Sequence, residues 1–264
     1  MAGATELTRE TRRTAGHGRT AAVRLDGVSK AFGERRVLDE VSFDVPEGCG
    51  FIILGRSGTG KSVVLRHIIG LMRPDAGRVF VEEDEISAIE GPALSRVRRK
   101  IGFLFQNAAL FDSISVGENV AFSMRRHTDM ADAEIVSRSR DKLAAVGLAD
   151  EFDKMPGALS GGMRKRAGLA RALALDPKIL LVDEPSAGLD PITADEIDEL
   201  LLGLKQSGGV TLIIVTHNIP SARRLGDHLL MLHEGRIAAQ GTLEELDGSD
   251  NEMVRAFMTS QHAG

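Results

Sequence analysis

The sequence has neither tryptophan nor tyrosine, and it has one cysteine, Cys49. A lone cysteine excludes a disulfide within the chain, which fits a reducing compartment. Aromatic stacking must fall to one of the ten phenylalanines or to histidine. No stretch approaches the roughly 18 apolar residues that cross a bilayer. The apolar runs are short, as at Phe51–Leu54, Ile179–Val182 and Leu212–Val215. Basic excess is missing too: the formal net charge is −5, so nothing advertises nucleic acid as a partner. The first twenty residues interleave Arg, Thr and Glu without an apolar stretch, which is not the pattern of a secretory signal. Residues 1–20 are expected to be a flexible tail, and any work at a membrane must come from docking onto another protein.

What is present suits one large α/β domain or two small subdomains. The 264 residues are 42% hydrophobic and 27% charged, as in an ordinary soluble protein with a full core. Val23-Arg24-Leu25 and Val41–Val45 alternate as strands do, and Pro46-Glu47-Gly48 reads as a turn. Phe51–Leu54 is wholly apolar, as expected of a buried strand, and the positions Val64, Leu65, Ile68 and Ile69 have helical spacing. Ile101–Phe105 is a further apolar strand. From Gln106 to about Ser160 the strand runs stop, and Val116–Met124 and Ala131–Val146 read as amphipathic helices. Strands return at Ile179–Val182 and Leu212–Val215 with a helix at Ile192–Leu204 between them, a pattern that suggests a parallel sheet with crossover helices. Glu252–Met258 reads as a short helix, and Arg96–Lys100 as a solvated basic face before a strand.

Gly55–Ser62 matches the phosphate-binding pattern G-x-x-x-x-G-K-S, between a buried strand and a helix. Gly55, Gly58 and Gly60 let the backbone approach phosphates, and the helix N-terminus favours anions. Lys61 can reach the β- and γ-phosphates, and the Ser62 hydroxyl can ligate Mg²⁺. Ile179–Val182 ends in Asp183-Glu184. Ligands of open α/β sheets lie at the carboxyl ends of strands, so Asp183 is placed to hold Mg²⁺ through water and Glu184 to polarise an attacking water. His217 follows the strand Thr211–Val215 in the same way. Taken alone, each of these two strand ends reads equally as solvated polar residues in a turn. Ser160 is a good helix N-cap, and Gly161 and Gly162 expose N–H groups to a phosphate, although plain capping explains the stretch locally.

In order along the chain, Gly55–Ser62, Gln106, Leu159-Ser160-Gly161-Gly162-Met163, Asp183-Glu184, Ser186–Asp190 and His217 resemble the motif series of ABC ATPases. The resemblance covers about Val23 to Leu243. It implies a P-loop NTPase (RecA-like) α/β core with an antiparallel β edge and an inserted helical subdomain. The core would span 21–106 and 165–246, the insertion 107–164, and a short tail, 247–264, would follow. It implies ATP and Mg²⁺ as cofactors and a head-to-tail homodimer. Each ATP would lie between Gly55, Arg56, Ser57, Gly58, Thr59, Gly60, Lys61, Ser62 and Val63 of one copy and Ser160, Gly161 and Gly162 of the other. Phe32 would stack on adenine where the family usually has Tyr, keeping the π-face. Gln106 would sense Mg²⁺ and act in catalysis, His217 would contact the γ-phosphate, and Asp190 would lie in the loop that crosses the dimer interface. Met163 departs from the family's usual Gln, past the phosphate-facing residues.

Val63 and Val64 after the phosphate loop, Phe105–Asp112, Val116–Phe122, Arg126-His127-Thr128 and Asp190–Thr193 together resemble the ATPases of Mla-type or Mce-associated lipid transporters. This implies a subunit on the cytoplasmic face of a bacterial inner membrane, bound to an integral permease, with a lipid-binding Mce-domain protein in the wider complex. Ala108–Phe111 is an apolar patch suited either to a permease helix or to closing the helical subdomain. Three other readings stand beside this one: an ATPase for a small polar solute importer, a DNA-repair or translation ABC protein, and a non-hydrolysing scaffold. The single motif set and single cysteine argue against the second, and Glu184 with His217 against the third.

Overall fold

A computed structural model describes residues 21–260; the expected tail over 1–20 lies outside them. The described residues open with three strands, β1 (Ala21–Phe32), β2 (Arg35–Pro46) and β3 (Gly50–Leu54), followed by helix α1 (Lys61–Ile68). Strands β4 (Ala76–Val81) and β5 (Asp84–Glu85), helix α2 (Gly91–Arg98) and strand β6 (Ile101–Leu104) come next. Helices α3 (Val116–His127), α4 (Asp132–Ala145) and α5 (Gly161–Ala172) then run on without a strand between them. The remainder alternates: β7 (Ile179–Asp183), α6 (Pro191–Gly208), β8 (Thr211–Thr216), α7 (Ile219–Leu225), β9 (His228–His233), β10 (Arg236–Gly241), α8 (Leu243–Asp247) and α9 (Glu252–Thr259).

The described residues form two sheets: an antiparallel sheet in the order β2-β1-β4-β5 and a six-stranded sheet in the order β10-β9-β3-β8-β7-β6. In the larger sheet β3, β6, β7, β8 and β9 are parallel, and β10 pairs antiparallel to β9 at the edge. Every residue of β3, β7 and β8 is buried, the mark of strands covered on both faces. The two faces take alternate residues. Ile52, Leu54, Leu180, Val182, Leu212 and Ile214 face the helices α3 to α7, whereas Phe51, Ile53, Leu181, Ile213 and Val215 face α1 and the antiparallel sheet. The first face continues without a break into Val120, Met124, Ile135 and Leu143, so the helical segment shares the core of the sheet. A capping box between Ser115 and Glu118 starts α3 directly after the loop that follows β6.

Two stretches do more than their sequence suggests. The C-terminal helix α9 is no loose extension: Val254 and Met258, one turn apart, are fully buried against the main core. The basic run near residue 98 is not merely a solvated face. Arg98 donates from Nε to the Ile69 carbonyl (3.0 Å) and from Nη2 to that of Gly70 (2.8 Å), and so caps the C-terminal end of α1.

Candidate active site

Strand register brings the motifs to one edge. Leu54 pairs with Thr216, Val215 with Asp183 and Val182 with Leu104, so β3, β8, β7 and β6 end side by side. Gly55–Ser62 follows the first, His217 the second, Asp183-Glu184 closes the third, and Gln106 lies two residues past the fourth.

The loop after β3 needs its glycines. Gly60 has φ 103°, and a Cβ there would sit 2.9 Å from the Val37 carbonyl oxygen. The loop curls round the Lys61 ammonium, which donates to the carbonyls of Gly55 (2.8 Å) and Arg56 (3.2 Å). Lys61 also pairs with Glu184 Oε1 at 3.2 Å, and both residues are buried. Glu184 Oε2 lies 3.0 Å from His217 Nδ1. Ser62 Oγ donates to Asp183 Oδ1 at 2.8 Å. Burial pushes the Asp183 carboxyl above the usual carboxylate range; the Ser62 hydrogen bond works against this and the neighbouring Glu184 charge adds to it. Five of the residues singled out in the sequence therefore lie together as two bonded groups, Lys61–Glu184–His217 and Ser62–Asp183, set side by side by the neighbouring positions 61/62 and 183/184.

The others stand around this cluster. Phe32 ends β1 and is about half exposed, 48%, with the Lys30 ammonium 5.9 Å from its ring centre. The β1–β2 hairpin that carries it is tied to the phosphate loop by Arg35, whose Nη2 donates to the Gly58 carbonyl at 3.1 Å. Arg56 and Ser57 line a cleft of about 420 Å³ with His217, Met253 and Phe257. Val63, in the first turn of α1, is partly buried against the core and does not line the cleft. Gln106 is exposed, and among the described residues its side chain bonds to none of the cluster.

Ser160 caps α5, accepting from the Met163 N–H at 3.2 Å, and both Ser160 and Gly161 are exposed. Gly162 abuts the first turn of α6, where a Cβ would meet Thr193 Cγ2 at 2.3 Å. Asp190 caps that helix through the Thr193 N–H. Among the described residues, no hydrogen bond or ion pair joins Ser160–Gly162 to Gly55–Ser62, so one copy brings together the cluster but not this stretch.

Residues absent from the sequence reading also shape the site. Arg35 is one. Arg171 of α5 is another: it donates to the carbonyls of Ala108 (2.7 Å) and Ala109 (2.6 Å), which both sit in the left-handed region, with φ of 58° and 51°. The local sequence gives no signal for either, because each acts on a carbonyl that only folding brings near. Beside this turn lies a groove of about 520 Å³, lined by Phe103, Phe105, Phe111 and Phe122 and by Arg98 and Arg99. Phe103 and Phe105 stack at 4.0 Å, and Phe111 and Phe122 lie 4.9 Å apart.

The sequence model of the family described as "ABC transporter" matches residues 38–187. The probable ribonucleotide transport ATP-binding protein mkl of Mycobacterium leprae is 41% identical over 92% of this chain and 70% of its own length. The intermembrane phospholipid transport system ATP-binding protein MlaF of Escherichia coli K12 is 38% identical over 89% of this chain and 88% of its own. Among solved structures, a dimeric ATP-binding cassette in a post-hydrolysis state, bound to ADP and Pi, superposes with a TM-score of 0.78. It is 33% identical, over 84% of this chain and 98% of that one.

Proposed function

Because the chain belongs to the ABC transporter family as an ATP-binding, ATP-hydrolysing subunit, we propose that it energises the movement of phospholipid or a related lipid between bacterial membranes through a partner permease. One observation carries the hydrolytic part: Lys61, Ser62, Asp183, Glu184 and His217 converge where three parallel strands end. The similarity to MlaF carries the lipid part.

Lys61 leaves the carbonyls of its own loop to neutralise the β- and γ-phosphates, while the backbone N–H groups of the loop and the N-terminus of α1 hold the rest of the triphosphate. Phe32 stacks on the base. Glu184 draws a proton from the attacking water, and His217 orients the Glu184 carboxylate and meets the γ-phosphate. Ser62 and Asp183 suit a divalent cation: a hydroxyl and a buried, poorly compensated carboxylate lie 2.8 Å apart with a second carboxylate adjacent. Mg²⁺ held there, with Gln106 as sensor, would supply charge neutralisation at the phosphates.

Ser160 and Gly161 lie exposed, with Gly162 buried behind them against α6, and the stretch stands apart from the cluster within one copy. In this reading they close over the nucleotide of a second copy, as a dimeric cassette requires. The aromatic groove beside Ala108 and Ala109 then receives a cytoplasmic helix of the permease, with Arg98 and Arg99 offering charge at its rim. No helix among the described residues is long and apolar enough to cross a membrane. In this reading, by its similarity to transporter ATP-binding subunits, the protein sits peripherally on the cytoplasmic face of the inner membrane, with an Mce-domain lipid-binding protein elsewhere in the complex.

The test is purification of the complex from native membranes, identification of the bound subunits and lipid, and ATPase assay in proteoliposomes. Co-purified phospholipid and phospholipid-dependent turnover support the reading. Stimulation by a small polar solute, with no bound lipid, transfers the protein to the importer alternative.

A further inference from the structure

The loop from Glu184 to Asp190 joins the hydrolytic carboxylate to the first turn of α6, and it is held at its start by a buried lysine from another element. Lys165 of α5 is 6% exposed. Its ammonium donates to the carbonyls of Glu184 (3.1 Å), Pro185 (2.6 Å) and Ala187 (2.8 Å). An ammonium has three N–H donors, so all of them are spent on one turn of backbone. Burial lowers the Lys165 pKa to about 8, against the nearby Glu184 and Asp183 charges that favour its protonated form. A buried cation held by carbonyls is a poor way merely to fill space, since an apolar side chain of similar volume would avoid the desolvation.

Two features say what the cation is for. Glu184 is one of the few non-glycine residues in the left-handed region, with φ 47°. Such a backbone persists only where its surroundings over-determine it, and Lys165 grips the carbonyl of this very residue. Lys165 also lies five residues beyond Ser160 on α5, about one and a half helical turns. The same helix presses Gly162 against Thr193 at the far end of the loop. The helix that meets the partner's nucleotide thus clamps both ends of the segment that aims the hydrolytic carboxylate.

We propose that Lys165 is a positioning residue for ATP hydrolysis, fastening the backbone of Glu184 to the helix whose N-terminus closes the partner copy's nucleotide site. The proposal rests on the shared-site reading above and on Glu184 as the general base. In this scheme, engagement of nucleotide at the end of α5 sets the aim of the carboxylate in the same copy.

The test uses the full-length chain and measures kcat, KM, nucleotide affinity with a fluorescent ATP analogue, and melting temperature. Variants are K165M, K165Q and K165R, alone and combined with E184Q. Displacement of a reacting group by about 1 Å can reduce rate about 10²-fold, so K165M should lower kcat about 10- to 100-fold. KM and nucleotide affinity should stay within about twofold, because the Lys165 ammonium donates to the backbone carbonyls of residues 184, 185 and 187 and not to the phosphate loop. K165R or K165Q, which keep donors, should recover part of kcat. Since Lys165 acts through Glu184, adding K165M to E184Q should lower the residual rate by less than about threefold, whereas independent roles would multiply. An unchanged kcat in K165M, a loss confined to KM or affinity, or a multiplicative effect in the E184Q background overturns the proposal. If K165M yields no folded protein, K165Q and its E184Q double variant decide by the same criteria. A turnover undiminished in E184Q alone would instead remove the general-base assignment on which the proposal rests.

Discussion

Replacing Glu184 with Gln keeps the length and shape of the side chain and removes only its charge and its capacity to take a proton. The structure gives that carboxylate two partners: Lys61 at 3.2 Å from Oε1 and His217 Nδ1 at 3.0 Å from Oε2. General-base catalysis contributes about 10²–10⁴ in rate, equivalent to about 2.7–5.4 kcal/mol of barrier at about 1.36 kcal/mol per tenfold. Turnover of E184Q should fall by that factor. Binding should move the other way. Two unit charges 3.2 Å apart attract with about 5 kcal/mol at an effective dielectric of about 20, most of it offset by their desolvation. ATP must compete with this attraction for Lys61, so removing it leaves nucleotide affinity equal or tighter. The fold should hold, because Lys61 retains the Gly55 and Arg56 carbonyls. Single-turnover phosphate release with radiolabelled ATP, beside equilibrium titration of the same preparation, measures both effects. Turnover within threefold of the wild type would refute Glu184 as the base. Loss of ATP binding in parallel with turnover would refute the view that its carboxylate competes for Lys61.

Three further outcomes are expected. K61A removes the cation around which the phosphate loop curls. With charge-assisted hydrogen bonds worth about 1.5–3 kcal/mol, calorimetric titration should show ATP binding at least tenfold weaker, and an unchanged isotherm counts against the assignment. Separately, S160R and K61A subunits should both be inactive alone, while mixing them should restore one working site per mixed dimer. No recovery of phosphate release on mixing speaks against a site shared between copies. Finally, M258A truncates a side chain buried to 0% in the main core. Such truncations cost about 2–5 kcal/mol, so melting should drop by several degrees, whereas a merely appended helix would leave it unchanged.

Much of the fold was legible because the large sheet is parallel and covered on both faces. Its strands are bare apolar runs, and Phe51–Leu54, Ile179–Val182 and Leu212–Val215 read as strands without ambiguity. The far edge of the large sheet was harder. β9 offers an apolar run of only four residues, Leu229–Leu232, behind the short helix α7, and β10, Arg236–Gly241, has no buried residue to mark it. Within the site, residues that act through their own chemistry at strand ends were visible: Lys61, Ser62, Asp183, Glu184 and His217. Residues that act on someone else's backbone were not. Arg35, Lys165 and Arg171 each grip a carbonyl distant in sequence, and a carbonyl leaves no mark in the sequence that announces it.

The linear order of residues was enough to determine a phosphate-binding loop, the acids and histidine that follow buried strands, and membership of the ABC transporter family. Local chemistry dictates these: glycines where backbone must approach phosphate, and apolar runs that end in charge. Only the tertiary structure decided that Lys61 is shared between the carbonyls of its own loop and Glu184. It also decided that α9 is part of the core, and that one buried lysine ties the loop carrying Glu184 to the helix capped by Ser160. Those outcomes depend on which backbone groups lose water together, and that is settled when the strands register and the helices pack.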